Sequence, residues 1–161
     1  VLSYRLWLKI RTDEALAYNV FSTMRPRSDA GEFMVYAGVD SEIEAIVKTL
    51  GAVFQEMRDL KDGNISEEEI ADSKTCVRGQ FDLTLESAGM VAAFLGGNDL
   101  YFGRQRPIEE IHAEIERPVK KDLVRLANEM WEEEAVRSLL LTTSFPGYEN
   151  KFLELRRMLG R

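Results

Sequence analysis

The sequence predicts an α+β fold, an antiparallel sheet covered by helices on one face, and three observations predict it. Two stretches of alternating apolar residues, Leu16 to Arg25 and Glu32 to Val39, flank a turn-forming segment and read as a β-hairpin. Four or five segments with helical apolar spacing follow. One more run of strand length, Ala135 to Thr143, comes after them. Three strands beneath that many helices suggest a single sheet with its helices on one side.

In chain order, Leu2, Leu6, Ile10 and Trp7 repeat with helical spacing, so the chain opens on a helix. From Leu16 the period becomes two, with Leu16, Tyr18 and Val20 on one side and Ala17, Asn19 and Phe21 on the other. The switch leaves Arg11 near the helix end and Tyr18 just inside the strand. Pro26 to Gly31 is a turn by composition, and Phe33, Val35, Ala37 and Val39 then share one face of a second strand. Asp40-Ser41 is expected to cap a helix carrying Ile43, Ile46, Val47, Leu50, Val53, Phe54, Met57 and Leu60, with Ser41 and Glu44 at capping-box spacing. Asp62-Gly63-Asn64 stops it. Ser66 and Glu69 make a second capping box before a long helix that weakens at Ser87 to Gly89 and ends near Gly96-Gly97 or at Gly103. Pro107 and Pro118 each introduce a short helix, and after Ala135 to Thr143 a terminal helix spans Tyr148 to Leu159.

Composition narrows the classes of function. The chain carries 21 Lys and Arg against 28 Asp and Glu, a formal net charge of -7. That balance argues against nucleic acid and against an anionic membrane surface as partners. No run is long and apolar enough for a transmembrane helix. One cysteine, Cys76, excludes an internal disulfide and a multi-cysteine metal site, and it leaves the compartment undetermined. At 161 residues a single domain over 1–161 is expected. The chain begins at Val1 inside a periodic pattern, so an N-terminal part is expected to be missing.

The Arg11, Glu14, Leu16-Ala17-Tyr18 segment resembles the R-x-x-x-x-x-x-Y pattern of the second, non-zinc domain of insulinase/pitrilysin-family zinc metallopeptidases, similar to bacterial processing-peptidase-like proteins. The resemblance continues through Ile65-Ser66-Glu67-Glu68-Glu69-Ile70, Leu85-Glu86-Ser87 and Leu100-Tyr101-Phe102-Gly103, the last ahead of Pro107-Ile108-Glu109-Glu110. It implies a metallopeptidase-half fold lacking its first elements, whose loss would expose a sheet edge open to self-association. It also implies that Arg11 and Tyr18 hydrogen-bond a peptide substrate's carbonyl or terminal carboxylate beside the scissile bond. One departure is visible: Ala15 stands where the family pattern usually has glycine, so this turn is less free.

Hydrolysis in that family needs zinc held by an H-x-x-E-H helix and a further glutamate. With one histidine, this chain cannot supply two, so the resemblance puts zinc in a companion N-terminal domain or partner subunit and leaves this chain inactive alone. A second outcome stays open, a non-catalytic scaffold or presentation subunit. From the residues alone, Arg11 could equally be a helix C-terminal charge paired with Asp13 or Glu14, and Tyr18 a strand aromatic packed on a helix. His112 reads as a structural histidine and Cys76 as a small buried apolar residue. Glu67 to Glu69 suit a helix N-terminus, and Glu132 to Glu134 a solvated loop.

Overall fold

The computed structural model describes residues 1–27, 29–40 and 42–132. The expected strand Ala135 to Thr143 and the terminal helix Tyr148 to Leu159 lie outside them. Among the described residues the fold is α+β, six α-helices and a two-stranded antiparallel sheet. The chain divides into two compact units, Val1–Asn64 with the chain from Val124, and Ile65–Leu123.

The first unit holds the hairpin. Helix α1 (Leu2–Leu6) runs directly into a π-helical segment, Trp7–Asp13, in which Glu14 N–H donates to Lys9 O five residues back, at 3.1 Å. Strand β1 (Ala17–Pro26) pairs with β2 (Gly31–Val39). Leu2, Leu6, Ile10, Ala17 and Val20 are buried, and helix α2 (Ile43–Lys61) adds Ile46, Ala52, Val53 and Leu60. Trp7 is not part of this core. The other sheet face carries Phe21 and Tyr36, stacked at 5.2 Å and partly open to solvent, so among the described residues of this unit the helices cover one face.

Ser3 fastens α1 to the strand. Its Oγ lies 3.0 Å from both the N–H and the carbonyl of Ser22, accepting from one and donating to the other. Both Ser22 groups therefore point away from β2, along the outer edge of β1. Arg5 ties the same helix to Glu56 and to the carbonyl of Asn64.

Two expectations change here. Helix α2 starts at Ile43 with Glu42 in the N-cap position and no side-chain cap hydrogen bond. The Asp40-Ser41 cap is thus displaced, and Ser41 itself lies outside the described residues. The strand alternation is also broken. Opposite β2, Ala17 faces Val39 and Asn19 faces Gly38, which leaves Tyr18 as the extra residue of a β-bulge. Ala17 and Val20 consequently both turn inward while Tyr18 turns out.

In the second unit, Ser66 and Glu69 form the expected capping box of α3 (Glu67–Thr84), with reciprocal bonds of 3.1 and 3.0 Å. Glu67, Glu68 and Glu69 occupy its first turn, where the helix dipole favours negative charge. Helix α4 (Ala88–Phe102) runs through Gly96-Gly97 and stops at Gly103, whose φ of 63° suits glycine. Pro107 precedes α5 (Ile108–Glu116); α6 (Lys120–Met130) starts in this unit, and the first unit resumes within it at Val124. Cys76 is exposed, which corrects the buried reading: its face of α3 is polar, and Gln80 Nε2 lies 3.4 Å from its sulfur.

A cluster of charge fixes the start of α5. Arg104 grips Glu110 with two bonds of 2.9 and 2.7 Å, and Arg106 reaches both Glu110 and Glu114. The hydrogen bond from Arg104 is the largest cause holding the Glu110 carboxyl at about 2, below its ordinary 4.5; Arg106 adds to it and partial burial opposes it. A depressed folded pKa contributes stability that is complete above 4.5 and is lost as pH falls from there through about 2. Thermal melts taken down that range are expected to fall more steeply for the wild-type chain than for Glu110→Gln. Parallel pH profiles would remove the ion pair from the stability of this unit.

Candidate functional site

The site is built where the helix hands over to the strand. An α-helix turns about 100° per residue, so apolar positions spaced by four drift off one line by about 40° per step. The wider π turn rotates less per residue and so offsets that drift in the opposite sense, and Ile10 is fully buried, as Leu6 is. With Ile10 fixed inward, the next residue, Arg11, is exposed at the rim.

Chain reversal then occurs at Ala15, whose φ of 50° lies in the left-handed region. Leu16 N–H donates to Ile10 O at 2.8 Å and closes the turn. A Cβ in that region is strained, by about 1 kcal/mol relative to glycine. Ala15→Gly is therefore expected to be neutral or stabilising by up to about 1 kcal/mol once glycine's greater unfolded-state freedom is counted, and Ala15→Val destabilising by about 1–2 kcal/mol. Urea denaturation midpoints of the two variants, moving in these opposite directions, check it.

The bulge at Tyr18 completes the arrangement. Arg11 Cζ lies 5.2 Å from the centre of the Tyr18 ring and 5.9 Å from that of Trp7, so the guanidinium sits against two aromatic rings. Tyr18 is 84% exposed. Arg11 is the basic residue of the last turn of the π segment, as the helix-charge reading has it, but the ion pair and the packing expected for the two residues are not formed. Among the described residues Arg11 makes no ion pair, because Glu14 is taken by Lys9 at 3.1 Å, and Tyr18 is not packed on a helix. Both residues are exposed to solvent.

They line an open cleft of about 420 Å³, whose walls are Arg11, the turn Ala15 to Tyr18, and the end of β2 with Gly38, Val39 and Asp40. Its polar side chains are one cation, one phenol and one carboxylate. Arg11 and Tyr18 can donate to an oxygen, and Asp40, which the sequence reading assigned to a helix cap, can accept from an N–H. Its position directly after the second alternating strand was the available signal.

The donor set does not fit zinc. His112 is the single histidine and its Nε2 lies 2.7 Å from Asp82 Oδ1, with Phe81 edge-on to its ring at 5.9 Å. No group of three His, Cys, Asp or Glu among the described residues could hold a metal ion. His112 thus serves packing between α3 and α5, in agreement with its structural reading. No helix among the described residues is long and apolar enough to cross a membrane.

Residues 1–75 match the family model described as the peptidase M16 inactive domain. A Bacillus subtilis protein named as an uncharacterized zinc protease is 26% identical over 140 residues, covering 86% of this chain and 34% of that protein. A second Bacillus subtilis protein, named as a probable inactive metalloprotease, is 27% identical over 75% of this chain and 27% of its own length. A Mycobacterium tuberculosis protein named as a zinc protease is 30% identical, over 80% and 29%. The chain thus spans about a third or less of these relatives. In fold it is similar to a conserved protein from Enterococcus faecalis, with a TM-score of 0.64 at 24% identity over 77% of this chain and 28% of that one. It is similar also to a protease from Helicobacter pylori, with a TM-score of 0.58 at 24% identity over 76% and 30%. Matched over residues 1–75 by the peptidase M16 inactive-domain model and along most of its length by zinc-protease relatives, the chain is similar to the inactive domain of peptidase M16 proteins.

Proposed function

We propose that this chain is the substrate-clamping half of a zinc-dependent metalloendopeptidase, working only together with a zinc-bearing first domain in the same protein or a partner subunit. The observation that carries this reading is the exposed pair of donors, Arg11 and Tyr18, set side by side on a π turn and a β-bulge with no ion-pair or hydrogen-bond partner for either side chain among the described residues. Both irregular features are known devices for aiming side chains at ligands. A fork of N–H groups and a phenol directed at a carbonyl oxygen stabilise the charge that develops there during attack. Asp40 accepts a peptide N–H at the other wall. Zinc in the companion domain supplies the Lewis acid for hydrolysis; this chain binds and orients the peptide.

A scaffold or presentation role without catalysis is the second reading, favoured by the relative named as a probable inactive metalloprotease. Self-association through the edge of β1 is weakened on either reading. Ser3 Oγ already satisfies Ser22, so an incoming strand would have to displace it at the middle of that edge.

Zinc content and intact mass of the full-length gene product, with cleavage of a quenched fluorescent peptide before and after chelation, separate the two. About one zinc per assembly with chelator-sensitive cleavage is expected. Absence of both would leave the scaffold reading.

A further inference from the structure

The solvent side of the opening helix carries aromatic residues in place of the charged residues usual there. Leu2, Leu6 and Ile10 form the buried stripe, and Tyr4, Trp7 and Arg11, spaced by three and four, form the opposite one. Tyr4 and Trp7 lie nearly parallel, 15° apart with ring centres at 6.4 Å, and are 58% and 39% exposed. Arg11 then stacks on Trp7, and Tyr18 on Arg11, so one unbroken row leads from Tyr4 into the cleft.

We propose that Tyr4 and Trp7 form an aromatic shelf continuous with the cleft, which receives an aromatic side chain of the bound peptide about two residues from the clamped carbonyl. The proposal rests on Arg11 and Tyr18 being that clamp. Spacing sets the position: Arg11 Cζ lies 5.9 Å from the centre of the Trp7 ring, and in an extended peptide side chains on the same side recur every two residues, about 7 Å. Chemistry sets the occupant. The charges flanking the shelf are paired, Lys9 with Glu14 and Arg5 with Glu56, so the shelf offers ring faces and no free cation besides Arg11 itself among the described residues. Area argues against a second copy of the chain. Two half-exposed rings supply at most a few hundred Å², against about 800 Å² per partner in a stable interface.

The test uses the chain with acetylated and amidated octapeptides that differ at one position in turn, carrying Phe, Leu, Ala or Asp there. Binding of the Phe peptide about 3- to 10-fold tighter than the Ala peptide is expected at one position only. Tyr4→Ala and Trp7→Leu should abolish that preference, Trp7→Phe should keep it, and circular dichroism melts identify any variant that fails to fold. Arg11→Gln should weaken all peptides alike. Uniform weakening by Arg11→Gln without any Phe preference overturns the shelf and leaves the clamp standing. A Phe preference that survives Tyr4→Ala and Trp7→Leu does the same. Binding indifferent to Arg11→Gln, or no binding of any peptide, overturns both. Dimerisation in sedimentation that Tyr4→Ala abolishes would assign the shelf to a second copy and also overturn the proposal.

Discussion

Replacing Tyr18 with Phe in the complete zinc-bearing protein is expected to lower kcat by about 10- to 1000-fold, the range for removal of one donor at a developing oxyanion. That is a loss of about 1.4–4 kcal/mol of transition-state stabilisation. The same change should leave folding stability within about 0.5 kcal/mol, because the ring is 84% exposed and makes no hydrogen bond to a described residue. The affinity for an uncleaved peptide should fall less than kcat, since a neutral carbonyl gains less from the phenol than the charged oxygen does. This combination separates a clamp from a packing residue. Arg11→Lys is the companion experiment: it keeps the charge, loses the planar fork and weakens stacking on Trp7 and Tyr18. Unchanged kinetics in Tyr18→Phe would remove the phenol from the chemistry.

Much of the architecture could be read from local pattern. The hairpin and the Ser66–Glu69 capping box follow rules that depend on a few neighbouring residues, and the structure has both; of the two stops left open, Gly96-Gly97 and Gly103, it uses the second. Arg11 and Tyr18 could be named from their spacing and family pattern. Their geometry could not be read the same way, because it depends on two departures from regular periodicity. The π segment inserts extra backbone into the helix and the bulge inserts Tyr18 into the strand. A reading based on alternation therefore put Tyr18 on the side of Val20, whereas the bulge separates them. A trace of the first departure was present in the chain: Leu2, Leu6 and Ile10 are spaced by four at each step, longer than an α-helical stripe sustains. The misplaced Cys76 has a different cause. Its helix has one strongly buried position, Ile70, so a small apolar residue farther along it had no core to enter.

Ile10→Ala is expected to have the largest effect on stability, about 2–5 kcal/mol, because Ile10 and Leu6 are the largest fully buried side chains described. Its consequence for function should differ from that of Leu6→Ala at a similar loss of stability. Leu6 closes α1, immediately before the irregular backbone, whereas Ile10 lies within it and anchors the π turn against β1. The π turn is intrinsically disfavoured relative to a regular helix, so it persists because burial of Ile10 outweighs that preference. Without the side chain, the segment is expected to relax toward α-helical winding, which rotates Arg11 away from Tyr18. At a temperature where both variants remain folded, Leu6→Ala should bind peptide nearly as the wild type does, and Ile10→Ala should resemble Arg11→Gln. Near-ultraviolet circular dichroism from the Trp7 and Tyr18 rings gives an independent readout, expected to weaken in Ile10→Ala more than in Leu6→Ala. Equal behaviour of the two variants in both measurements would mean that the π turn is held by its own hydrogen bonds, and that Ile10 contributes volume to the core without setting the direction of Arg11.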